Sequence, residues 1–91
     1  MPKLTSIVRV KNTQGLHARP ATAIVKLLQT TASSVLFTHR KETINAKSIM
    51  SILMLAAAKN ALITVTVEGS DAEEVMERIL KAFETRFGEE G

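Results

Sequence analysis

Between Leu62 and Phe87 the spacing of apolar residues changes period, and no other feature limits the possible folds of this chain as tightly. Ile63, Val65 and Val67 alternate with Thr64, Thr66 and Glu68, the pattern of a strand with one face buried. Beyond Gly69, Ala72, Val75, Met76, Ile79, Leu80, Phe83 and Phe87 fall on one face of a helix. A strand and a helix joined this closely dry their apolar sides against each other and against further strands, so a layered α+β domain is expected. Ser70-Asp71-Ala72-Glu73 reads as a capping box that starts the helix, and Arg86 followed by Gly88 suits its end. Glu74 with Arg78 and Glu77 with Lys81 form i, i+4 pairs in the favourable order, so the acids of this last third read mostly as a solvated helix face.

The remaining segments add three strands and two helices. Leu4, Ile7, Val8 and Val10 mark a strand over residues 3 to 10. After the turn-rich Asn12, Gln14 and Gly15, a helix should begin at about Ala18, with Pro20 in its first turn, where a missing N–H costs nothing. Ala21, Ile24, Val25 and Leu28 face its core side, and Thr30 to Ser34 break it. Val35-Leu36-Phe37 and Thr43-Ile44 read as a hairpin with weak turn chemistry, because a tight turn would put Arg40 or Lys41 at positive φ. Ser48 is a good N-cap for a short helix to about Leu55. The order is strand, helix, strand, strand, helix, strand, helix: helices over one face of a mostly antiparallel sheet, the other face wet.

Ninety-one residues, 45% of them apolar, suit a single domain spanning residues 1 to 91. No apolar run approaches the ~18 residues of a membrane span, and Met1-Pro2-Lys3 is not followed by a signal-peptide core, so a cytoplasmic protein without membrane insertion is expected. The absence of cysteine excludes disulfides, thiolate metal sites and cysteine nucleophiles. Charge is divided unevenly. Up to Asn60 nine Lys/Arg face the single acid Glu42, and beyond it three face eight acids, which together give the net +3. The basic two thirds suit an acidic partner or a phosphate. Nucleic-acid binding fits poorly, since Phe37, Phe83 and Phe87 are the only aromatics on which bases could stack.

Gly15-Leu16-His17-Ala18-Arg19-Pro20-Ala21 places an imidazole at the start of a helix whose first N–H groups lack partners. Those donors and the helix dipole suit an anion, Arg19 adds a cation, and histidine can act as a covalent nucleophile. Residue types alone leave a plainer reading open, in which His17 caps the helix and Arg19 pairs with an acid. A hydrolase triad finds no nearby carboxylate in sequence, and His17 and His39 lie on different elements without acid or cysteine partners, so neither triad chemistry nor a metal site is expected.

That segment, together with Asn45-Ala46-Lys47-Ser48-Ile49-Met50, resembles the HPr phosphocarrier family of the bacterial phosphotransferase system, and the resemblance covers nearly the whole chain. It implies an open-faced sandwich, a four-stranded antiparallel sheet covered on one face by three helices. It implies a carrier rather than an enzyme: enzyme I passes a phosphoryl group to His17, Arg19 and the backbone at Ala18 steady it, and enzyme IIA components of sugar transport accept it. No cofactor and no metal is implied, and a monomer is expected. With no carboxylate expected beside the phosphohistidine, nothing would activate water against it.

Ser48 matches the serine that a dedicated HPr kinase/phosphorylase modifies in many members, although a serine before an apolar helix is also an ordinary N-cap. Ile49, Met50 and Leu53 match the partner-docking patch, with Ile52 and Leu55 turned inward; most helical Met and Leu are simply core. Three departures from the family pattern stand out: Ser51 and Asn60 where glycine is common, and Arg40-Lys41 at the hairpin turn. A second reading is a regulatory binding module of a nitrogen-related or catabolite-control branch, acting through Ser48 and the apolar patch. Retention of His17 and Arg19 counts against it, because the family's regulatory variant lacks the active histidine.

Overall fold

The computed structural model of the chain describes residues 1–90, Gly91 lying outside them. Its elements are β1 (Lys3–Arg9), α1 (Ala18–Leu28), β2 (Ser34–His39), β3 (Glu42–Asn45), α2 (Ile49–Met54), β4 (Leu62–Glu68) and α3 (Ala72–Glu84), followed by a 3-10 turn at Arg86–Gly88. The strands form one sheet in the order β1-β4-β2-β3, every neighbouring pair antiparallel. This is the α+β open-faced sandwich that the sequence implies.

The alternation in β4 decides which face is dried. Ile63, Val65 and Val67 are fully buried, and the register sets Val8 opposite Ile63, Val35 opposite Val67 and Phe37 opposite Val65. Three helices cover this row. α3 lies over β1 and β4, α1 between α3 and α2, and α2 against β3. The opposite face stays open, with Ile7 67% and Leu62 51% exposed among threonines. α1 turns Pro20, Ala21, Ile24 and Leu28 to the core, while Val25 is only half-buried. The six residues of α2 fall well short of the ~12 to 15 that an isolated helix needs, so its buried Ile52 and adjoining Leu55 hold it in place.

Two local expectations are corrected. The capping box at Ser70 does not form: Asp71 occupies the N-cap position, and its side chain makes no cap bond. Its carboxylate instead accepts from the Ser33 hydroxyl at 2.5 Å and the Ala32 N–H at 2.9 Å, tying the α1–β2 connection to the start of α3. A long-range pair of donors has outcompeted the local cap. The last helix stops at Glu84 rather than carrying Phe87, because Arg86 and Phe87 both take φ of 55°. Phe87 still packs edge-on against Phe83, with ring centroids 4.9 Å apart. The acids of the last helix stay mostly on its solvated face, where the exposed Glu84 also pairs with Lys11 at 2.7 Å across to the β1 end. Of the two i, i+4 pairs, Glu74–Arg78 forms, at 2.6 Å.

The departures from the family pattern are accommodated. The β2–β3 turn is the two residues Arg40-Lys41, and Arg40 takes the positive φ, 56°, that makes this turn unfavourable. Asn60 adopts φ of 74°, which asparagine tolerates well, and its N–H donates to the Val10 carbonyl at 2.7 Å.

The Ser33 and Ala32 donors hold the Asp71 carboxyl below its ordinary value of 3.8. A lowered carboxyl contributes stability that is present above the unfolded value and is lost as pH falls through the folded one. Asp71→Asn should therefore lower the melting temperature at neutral pH, and the gap from wild type should close as pH falls below 3.8, read from thermal melts down to about pH 2.5.

Candidate functional site

The loop before α1 is set by a glycine. Gly15 has φ of 70°, and a Cβ there would lie 2.9 Å from the Ala58 Cα and closer still to the Ala57 carbonyl oxygen. The close approach lets the Leu16 N–H donate to that carbonyl at 2.9 Å, fastening the loop to the segment after α2. Leu16 is buried, and His17 follows as the N-cap residue of α1 in extended conformation. Its backbone carbonyl accepts from Ala21 N–H at 3.0 Å, while its ring makes no cap bond. The plain capping reading of the imidazole therefore fails.

The imidazole is half-buried, its side chain 32% exposed. Nε2 lies 3.0 and 3.1 Å from the two carboxylate oxygens of Glu89. Glu89 in turn accepts from Asn12 Nδ2 at 2.6 Å, and the same Nδ2 donates to the Arg86 carbonyl at 2.9 Å. Burial works to raise the Glu89 carboxyl; hydrogen bonds from Asn12 and His17, with the charges of His17 and Arg19, outweigh it and hold the group below its ordinary value of 4.5. An ionised carboxylate only accepts, so Nε2 carries the hydrogen that faces it. Nδ1 has no hydrogen-bond partner among the described residues.

The expectation of no carboxylate beside His17 is thus overturned. Sequence reasoning missed Glu89 and Asn12, 72 and 5 residues away, because no local pattern joins them. The only available signal was the surplus of acids near the chain end. The carboxylate sits at the ring nitrogen opposite to Nδ1, so it lies away from any group that Nδ1 would carry.

Ala18 and Arg19 are the first two residues of α1, and both are exposed. Their N–H groups precede the first intrahelical bond and Pro20 has none, so these two are the free donors of the first turn. The Arg19 guanidinium makes no ion pair among the described residues. Thr13, Gln14, His17, Arg19, Glu89 and Glu90 line a shallow hollow here. Ser48 lies outside it, on α2. Its hydroxyl accepts from the Ser51 N–H at 3.2 Å, and the replacement of glycine by Ser51 leaves that cap intact. Ile49 and Met50 are exposed, 37% and 68%. Leu53, beside them on α2, is half-buried against the core, and Met54 is 68% exposed.

A protein-family model described as the PTS HPr component phosphorylation site matches residues 4–85. The chain belongs to the HPr phosphocarrier family of the bacterial phosphotransferase system. Among relatives, the phosphocarrier protein HPr of Chlamydia muridarum is 42% identical over 87 residues, covering 96% of this chain and 84% of the relative. That of Chlamydia pneumoniae is 48% identical over 80 residues, covering 88% and 74%. The crystal structure of HPr-C-His from Thermoanaerobacter tengcongensis superposes with a TM-score of 0.89 at 34% identity, over 100% of both chains. As a member of this family, the chain is a phosphocarrier. No helix among the described residues is long and apolar enough to cross a membrane.

Gly15→Ala should destabilise the domain by more than about 1 kcal/mol, because a methyl group is disfavoured at that φ and meets the Ala57–Ala58 backbone. Denaturant unfolding measures it.

Proposed function

We propose that Nδ1 of His17 accepts the phosphoryl group from phospho-enzyme I and yields it to enzyme IIA components. The observation that carries this reading is the division of labour in the ring: Nε2 is tied to Glu89, while Nδ1 is free at the start of α1. In acceptance, the Nδ1 lone pair forms a bond to phosphorus as the bond to the donor's leaving group breaks and its electron pair returns to the donor. The Nε2 hydrogen stays in place. The free N–H groups of Ala18 and Arg19 and the unpaired Arg19 guanidinium supply fixed positive ends near the new dianion. These contacts are partly exposed, which favours modest stabilisation and keeps transfer onward feasible.

Docking falls to Ile49, Met50 and Leu53, with the exposed Met54 next to them, beside the basic surface of the first two thirds, a surface suited to an acidic partner. Ser48 lies at the edge of this patch and is the site where an HPr kinase/phosphorylase would act. A phosphate there would place about −1.5 to −2 charges at the start of α2 without breaking the fold.

Incubation with enzyme I and labelled phosphoenolpyruvate should give an acid-labile label on the wild-type chain and none on a folded His17→Ala variant. Equal labelling of the two would move the acceptor elsewhere. Ser48→Asp should weaken enzyme I binding while leaving the melting temperature nearly unchanged, since aspartate also caps helices. Calorimetric titrations should show the loss shrinking as salt rises; equally tight binding at low salt would place the docking face elsewhere.

A further inference from the structure

Glu89 is four-fifths or more withdrawn from water, its side chain 13% exposed, although it is charged and lies near the end of the chain. A carboxylate is seldom held this way without a purpose in its surroundings. What brings it inward is the segment after α3. Arg86, Phe87 and Gly88 take φ of 55°, 55° and 81° in succession, two of them residues whose side chains disfavour that conformation. The turn reverses the chain over the first turns of α1, where Phe87 lines a shallow hollow with Ala18, Arg19 and Thr22. Asn12 grips the returning segment twice, through the Arg86 carbonyl and through Glu89. The amide is wholly buried, and its Oδ1 finds no donor among the described residues. Flipping it would set that oxygen against two acceptors, so the orientation is dictated by the segment it holds.

We infer that Glu89 is a positioning residue for phosphoryl acceptance: held by Asn12 and the turn at Arg86–Gly88, its carboxylate fixes the Nε2–H tautomer of His17 and keeps the Nδ1 lone pair turned to the incoming phosphorus. The inference rests on the reading of His17 as acceptor. An imidazole left to itself exchanges its hydrogen between the two nitrogens, and a ring protonated on Nδ1 has no lone pair there to offer. It also turns about its side-chain bonds. A carboxylate with both oxygens within 3.1 Å of Nε2 restrains both motions. When the N–P bond forms at Nδ1, the ring becomes cationic with Nε2–H retained, and the same carboxylate meets that charge. Because Glu89 sits at the far nitrogen, it does so without occupying the space of the phosphoryl group.

Two variants of the full chain test this. Nitrogen-15 NMR of the His17 ring, at a pH where the ring is neutral, should show the Nε2–H form in wild type. It should show a mixture of tautomers in Glu89→Ala. Glu89→Gln should retain the Nε2–H form, since a glutamine carbonyl oxygen gripped by Asn12 can still accept. Phosphoryl acceptance from phospho-enzyme I should fall about tenfold in Glu89→Ala, in kcat rather than KM, with Glu89→Gln intermediate. A merely structural glutamate would change the melting temperature and leave the tautomer of the folded protein alone. Wild-type tautomer populations in folded Glu89→Ala would overturn the inference, as would an altered tautomer with an unchanged rate. A wild-type chain that takes no label from enzyme I overturns the acceptor reading itself, a result that the labelling of wild type alone decides.

Discussion

Drying one face of the sheet is the constraint to which the other elements answer. The row made by Val8, Ile63, Val65, Val67, Val35 and Phe37 is too wide for one helix, so three are laid over it, and the other face is left to water. Each fully buried side chain of this size contributes about 1.5 to 3 kcal/mol, more than any single cap or surface ion pair. The rotation of α1 is set by the same demand. With Pro20, Ala21, Ile24 and Leu28 turned down, Ala18 and Arg19 are turned out, and the start of the helix is presented where a partner can reach it.

On that scaffold the site is assembled from segments distant in the chain. The loop from Asn12 to His17 is fastened at Leu16 to Ala57, and the tail from Arg86 to Glu89 closes over it through Asn12. His17 is held at one ring nitrogen and left free at the other. A carrier has to take a group and give it away again, so firm positioning combined with partial exposure suits it better than a closed pocket.

The electrostatic layout is equally a product of folding. The basic first two thirds and the acidic last third do not form two opposed surfaces, because Glu84 is drawn to Lys11, Glu89 to His17 and Asp71 to the α1–β2 connection. What remains of the acidic third is the outer face of α3, with Glu74 paired to Arg78. Lys3, Arg9, Arg19, Lys26, Arg40, Lys41, Lys47 and Lys59 stay exposed, so positive charge is spread over β1, α1 and the loops.

Elements whose cause is local were legible in the sequence. The alternation over Leu62–Glu68, the helical spacing from Ala72, the Ser48 cap and the start of α1 at Ala18 all depend on neighbours a few residues away, and they appear where the patterns put them. The motif around His17 and that around Ser48 were legible for the same reason. Where a side chain had a distant alternative, local pattern failed. The Ser70 capping box gave way to an N-cap at Asp71, whose carboxylate is drawn to Ser33 and Ala32, and Phe87 left the helix to pack on Phe83 across a turn. Glu89 is the extreme case, since its partners His17 and Asn12 are 72 and 77 residues away and no periodicity records them. Sequence by itself determined the elements, their order and the two motifs, because hydrogen-bond period and capping are short-range. The hydrogen-bond partners of those motifs were decided by tertiary structure alone, because only closure of the chain over the sheet brings a carboxylate from one end within reach of an imidazole near the other.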